Sequence, residues 1–164
     1  KARSVMTELV KYVDIVIANE EDASDVFGIK AAESDVTKGQ LSEEGYKDVA
    51  KQLMDMFSLK GVAITLRESY SASDNGWSAM YYDGNEYCFS RKYKIHIVDR
   101  VGGGDSFGGG LIYALLNGYA PQDAVEFAVA ASCLKHTIVG DFNHVTLKEV
   151  QTLAKGDASG RVQR

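Results

Sequence analysis

The chain has 164 residues, with 18 basic against 23 acidic side chains and a formal net charge of -5. That length suits one domain able to bury roughly two-thirds of its unfolded surface, and the missing cationic excess argues against nucleic acid as a partner. Cys88 and Cys133 have neither metal-ligand spacing nor disulfide-scaffold density, no apolar run approaches the roughly 20 residues that span a bilayer, and the charged start KARSVMTELVKYVD lacks a signal peptide's apolar centre. The expectation is a soluble cytoplasmic protein with reduced thiols and no membrane partner. The chain opens without Met, and its first dozen residues read as the end of a helix feeding a strand, so a preceding segment is expected.

Val13 to Ala18 (VDIVIA) is a short β-branched run stopping at Asn19, the pattern of a strand buried on both faces of a parallel sheet. Glu20 to Phe27 predicts a short helix closed by Gly28. After a polar connector, Ser42 to Phe57 predicts a longer amphipathic helix, with Tyr46, Val49, Ala50, Leu53, Met54 and Phe57 at helical spacing. Gly61 to Leu66 is a second buried-type strand, and its continuation RESYSASDNGW has the composition of a loop. In SAMYYDGNEYCF, Asp83-Gly84 separates two alternating aromatic segments and predicts a hairpin. An extended run from Lys94 to Val98 leads into a glycine cluster. Helices follow at Asp105 to Leu116, ended by Asn117-Gly118, at Pro121 to Lys135, and at Thr146 to Leu153. Strands alternating with helices make this an α/β chain with a mainly parallel sheet and one inserted hairpin. A single domain is expected over 1–155, followed by a disordered tail over 156–164.

The most specific feature is Asp99-Arg100-Val101-Gly102-Gly103-Gly104-Asp105, which stands between a strand and a helix. At a helix start several backbone N–H groups lack intrahelical partners and the peptide dipoles gather positive charge, so a phosphate can be bound without a cationic side chain. Glycine allows its close approach. A carboxylate directly after such a loop places a proton acceptor beside the γ-phosphate, where an attacking hydroxyl must sit, and Asp105 can fill that role. The plainer reading gives these glycines only a tight turn and close helix packing. The segment is not a Walker loop, since no Gly-Lys-Ser/Thr follows, nor a dinucleotide fingerprint, since no ribose-binding acid follows at suitable spacing.

The segment resembles the second signature of the ribokinase-like (PfkB) sugar kinases, an Asp-Thr-x-Gly-Ala-Gly-Asp pattern. Asp99, Gly102, Gly104 and Asp105 match it, Gly103 replaces a small Ala, and Arg100 departs from the usual Thr. DRVGGGDSF with Arg is similar to one subgroup, the 2-keto-3-deoxygluconate kinases, as is TLRES followed by SASDNGW. The resemblance implies the carboxy-terminal, nucleotide-binding portion of a three-layer α/β/α ribokinase-like fold. Asp105 would be the base and Gly102, Gly103 and Gly104 the anion hole, with Asp99 organising the loop near a monovalent cation such as K+. Asn19-Glu20-Glu21-Asp22 resembles the family's Asn-x-x-Glu, acting through water on Mg2+ and phosphate. Helix capping by Asn19 is the alternative. Thr65-Leu66-Arg67 is similar to the strand end that meets the nucleotide, with Arg67 either reaching a phosphate or facing solvent. FAVAASCLKHT, with Val129, resembles the helix beneath the adenine, and Gly140-Asp141-Phe142-Asn143 the loop closing the pocket.

His96, His136 and His144 are too separated for a metal site and read as structural or surface residues. Trp77, Tyr81 and Tyr82 read as hairpin packing. The implied function is ATP- and Mg2+-dependent phosphoryl transfer to the terminal hydroxyl of 2-keto-3-deoxygluconate or a close sugar acid. Alternatives are fructose, ribose or a nucleoside as acceptor, or a nucleotide-binding module without catalysis. The resemblance covers about half of such a kinase, so the isolated chain is expected to be inactive. Homo-oligomers are compatible with the sequence.

Overall fold

A computed structural model describes residues 1–29 and 43–156. Ser42, the connector before it and tail residues 157–164 therefore lie outside the described residues. The chain gathers into two compact units, Lys1–Glu68 with Ser78–Phe89, and Ser69–Trp77 with Ser90–Arg164.

The first unit begins with helix α1 (Ala2–Val10), strand β1 (Ile15–Asn19) and a single turn α2 (Glu20–Asp22). That turn continues into a π-helical turn, Ala23–Phe27, which Gly28 ends at φ 72°, as its sequence foretells. Helix α3 (Glu43–Phe57) buries Tyr46, Val49, Ala50, Leu53 and Phe57. With Val10, Val62, Ile64 and Met80 they form one apolar cluster. Strand β1 runs parallel to β2 (Gly61–Ser69), with Asn19 opposite Thr65. It is the edge of the described sheet, and Ile17 remains 41% exposed, so the two-face burial read from VDIVIA is not found. The loop reading of RESYSASDNGW also gives way, because Arg67–Ser69 extends β2 and Asp74 already opens β3 (Asp74–Tyr82). Ladder pairing overrides local polarity there. The hairpin from β3 to β4 (Tyr87–Phe89) forms as expected, with Tyr82 opposite Tyr87 and their rings stacked. Asp83 Oδ1 accepts from the N–H of both Asn85 and Glu86 inside its loop.

In the second unit the first half of β3 pairs antiparallel with β5 (Tyr93–His96). The sheet is therefore mixed and the class is α/β. Helix α4 (Gly103–Leu116) starts two residues ahead of the expected Asp105, so Gly103 and Gly104 lie in its first turn. Helix α5 (Pro121–Lys135) has Pro at its start and is buried on nearly every face, which explains its lack of a polar stripe. Helix α6 (Leu147–Ala154) is capped by Thr146, which accepts from Glu149 N–H while the Glu149 carboxylate accepts from Thr146 N–H. Helix α4 packs on α5, and α5 on α6.

The α4–α5 seam depends on Gly110, where a Cβ would stand 3.1 Å from Ala128 Cα and 3.2 Å from Ala131 Cβ, whereas one at Gly109 would meet nothing within 4 Å. Gly110→Val should therefore destabilise the chain by about 1–3 kcal/mol through overpacking. Gly109→Ala should stabilise it by about 0.5–1 kcal/mol through helix propensity. Urea unfolding of both variants checks the opposite signs.

Candidate functional site

The glycine loop is held in place from three sides, all within the second unit. Asp99 accepts the N–H of Val101 on Oδ1 at 3.0 Å and the N–H of Gly140 on Oδ2 at 2.8 Å, so one carboxylate joins the loop to the segment after α5. These two bonds, with a smaller contribution from the positive charge of Lys135, hold its carboxyl below the ordinary carboxylate range. The His136 carbonyl accepts from Val98 and Asp99 N–H at 2.8 and 3.2 Å. Its ring Nδ1 lies 2.7 Å from the Ser132 carbonyl and must donate to it. The buried Ser132 hydroxyl donates to the Gly103 carbonyl at 2.8 Å. On the far side, Arg100 Nη2 donates to the Ala72 carbonyl at 2.7 Å and to the buried Asn75 Oδ1 at 3.2 Å.

Each glycine answers a different demand. Gly102 has φ 78°, and a Cβ there would run into the Asp141 carbonyl. A Cβ on Gly103 would stand 2.6 Å from His136 Cε1, so the helix start lies directly on that ring. Around Gly104 nothing comes within 4 Å of a would-be Cβ, so packing does not require glycine there. The N–H of Gly103 is taken by the Arg100 carbonyl and that of Ser106 by the Gly102 carbonyl. Among the described residues the N–H groups of Gly104 and Asp105 have no partner. Two free donors at a helix start, followed by the exposed Asp105 carboxylate, make an arrangement that could receive an anion beside a proton acceptor.

Asp105 and Ser106 also line a hollow of about 440 Å³, with Tyr113, Phe127, Ala131 and Phe142 among its walls. Val129, expected beneath a base, is wholly buried and is not among the lining residues. Phe127 and Ala131, also on α5, do line the hollow. Trp77 packs edge-on against the His136 ring at 5.0 Å, so it supports the loop rather than the hairpin. His96 lies at the surface against Asp74, and His144 is exposed.

Asn19, Asp22, Thr65 and Arg67 belong to the first unit. Asn19 Oδ1 accepts from Asp22 N–H at 2.9 Å, and Asp22 Oδ2 from Asn19 N–H at 3.0 Å, which is the capping arrangement. It uses one oxygen of each side chain and leaves the Asn19 amide nitrogen and the second Asp22 oxygen. Thr65 stands beside Asn19 across β1 and β2, and Arg67 is exposed. No group of three or more His, Cys, Asp or Glu able to hold a metal occurs among the described residues. The Asn19–Asp22 pair by itself could offer a hydrated cation only these remaining polar atoms.

Sequence reading missed Ser132, His136 and the anchoring role of Arg100. Ser132 and His136 lie one helical turn apart in FAVAASCLKHT, which was the available signal.

The pfkB family carbohydrate kinase pattern matches residues 1–144, and the chain belongs to that family. The 2-dehydro-3-deoxygluconokinase of Thermotoga maritima is 48% identical, with a TM-score of 0.88 over 94% of this chain and 45% of its own. A putative 2-keto-3-deoxygluconate kinase from Enterococcus faecalis is 27% identical, with a TM-score of 0.83 over 99% of this chain and 46% of its own. The ATP-dependent 6-phosphofructokinase of Thermoanaerobacterium thermosaccharolyticum is 26% identical over 151 residues, 92% of this chain and 39% of that protein. The chain thus spans less than half the length of these relatives. Its fold is the α/β fold of the ribokinase-like kinases. No helix among the described residues is long and apolar enough to cross a membrane.

The lowered pKa of Asp99 sets the sign of a pH effect. Its stabilisation is full above the ordinary value of 3.8 and is lost as pH falls through the still lower folded value. Asp99→Asn should melt below the parent at neutral pH, and the gap should close as both are acidified below that value, as read by thermal melts across pH.

Proposed function

We propose that this chain forms the phosphoryl-transfer portion of an ATP-dependent sugar-acid kinase acting on the terminal hydroxyl of 2-keto-3-deoxygluconate or a near relative. The observation that carries the reading is the pair of unpartnered N–H groups on Gly104 and Asp105 beneath open space, with the Asp105 carboxylate on the very next atoms of the chain. The donors bind the transferred phosphoryl where negative charge accumulates, and their orientation is fixed before substrate arrives because Ser132, His136 and Asp99 hold the loop. Asp105 accepts the proton of the attacking hydroxyl as it moves in line toward phosphorus. Magnesium, when bound, neutralises phosphate charge, and Asn19 and Asp22 would hold its waters. Thr65 and Arg67, from the middle and second half of β2, would face the nucleotide in this reading. The hollow walled by Tyr113, Phe127, Ala131 and Phe142 offers apolar surface beside Asp105.

The sugar acid is supported by the 48% identity to the Thermotoga enzyme. A second reading, with a fructose derivative as acceptor, is favoured only by the more distant phosphofructokinase. A binding module without catalysis would keep the donors and need no base.

Asp105→Asn in the complete protein should lower kcat by about 10²–10⁴ and leave the dissociation constant for MgATP within about threefold, which corresponds to roughly 0.7 kcal/mol. Calorimetric titration beside a kinase assay with ketodeoxygluconate, fructose 6-phosphate and ribose checks this. Undiminished turnover in the variant would remove Asp105 from the chemistry, and nucleotide binding without turnover on any acceptor would favour the module.

A further inference from the structure

Lys135, the last residue of α5, is wholly buried. Its ammonium carries three donors, and the only partner it has among the described residues is the Ile138 carbonyl at 3.1 Å, with no direct ion pair. A buried charge with two donors unanswered is costly, and such charges persist where the charge itself is used. Its position shows the use. Ile138 lies in the segment that runs from α5 to Gly140, and Gly140 N–H is bonded to Asp99. The next residue, His136, holds Val98 and Asp99 through its carbonyl. The ammonium therefore stands where the segment after α5 meets the residues entering the glycine loop. It is close enough that its charge contributes to holding the Asp99 carboxyl below the ordinary range.

The family resemblance leads one to expect a monovalent cation beside Asp99, and the residues present do not fit one. Each Asp99 oxygen accepts one backbone N–H, and a second cation at this junction would meet the Lys135 charge that already acts on the same carboxylate. We propose that the Lys135 ammonium supplies, from within the chain, the positive charge that a monovalent cation would otherwise supply at the junction of the Asp99 and Ile138–Gly140 segments, so that the anion site is set without such an ion. Lys135 acts through the loop and touches no reacting atom, which makes it a positioning residue. The inference rests on the kinase reading only for the part of its test that uses nucleotide.

Melting temperatures of the chain and of Lys135→Met are compared in potassium chloride and in tetramethylammonium chloride of equal concentration, since the latter cation is too large for a buried site. MgATP titrations follow in both salts. The parent should melt at the same temperature and bind with the same affinity in either salt. Lys135→Met should melt lower and bind at least about tenfold more weakly in tetramethylammonium, and potassium or ammonium ions should restore much of both losses, because the charge that repels an ion at the junction is then gone. A parent that is selectively stabilised or tightened by potassium would overturn the proposal. So would a variant that matches the parent, or one whose losses no small cation restores. If Lys135→Met fails to fold, the parent's response to the two salts decides alone. A parent that binds no nucleotide contradicts the kinase reading, and the melting comparison still decides this one.

Discussion

The carboxylate of Asp99 is the constraint on which the candidate site depends. It accepts one N–H from its own loop and one from Gly140, 41 residues later in sequence, and so ties together two segments that have no ladder between them. That bridge adds to the other long-range bonds on the loop, from Ser132 to Gly103 and from Arg100 to Ala72 and Asn75. With it, the Val98–Gly103 path is fixed at both ends, by the His136 carbonyl at entry and the Ser132 hydroxyl at exit. Fixed donors are what an anion site needs, because dipoles that must reorient during a reaction lose the advantage over water.

Chain direction and element type were legible in the sequence because they rest on local periodicity. The α3 apolar positions, Pro121 at the start of α5 and Asp83-Gly84 each act within a few residues, and each appears where its pattern placed it. The Asp99–Asp105 segment was legible for the same reason, since a strand, a turn and a helix start are adjacent in sequence. What was not legible depends on register between distant elements. Nothing local shows that Ser132 meets Gly103 across 29 residues, that Arg100 reaches back to Ala72 and Asn75, or that α5 turns Val129 inward and Ala131 toward the hollow. The strand content of Arg67–Ser69 and Asp74–Trp77 was missed likewise, because a polar segment becomes a strand when a partner strand supplies the bonds.

Asn19 and Asp22 show how a structural and a functional reading can share residues. The capping bonds consume one oxygen from each side chain and hold both in fixed positions beside Thr65. A pair restrained in this way presents its remaining polar atoms without further entropy loss, which suits the holding of a hydrated ion. Capping does not compete with that role. It supplies the rigidity.

The charge balance gives the remaining step. A chain of net charge -5, with exposed carboxylates at Asp105 and Asp141 beside the loop, has no long-range attraction for a polyphosphate. Local fields must therefore outweigh the global one. The free N–H groups of Gly104 and Asp105 act over the shortest distances, and the α4 dipole adds to them. In the proposal above, Lys135 adds to them a positive charge that acts on Asp99 from a buried position. A surface lysine would be screened by salt and would move with its flexible stem. A buried one is held in place beside the segment that Asp99 ties to the glycine loop.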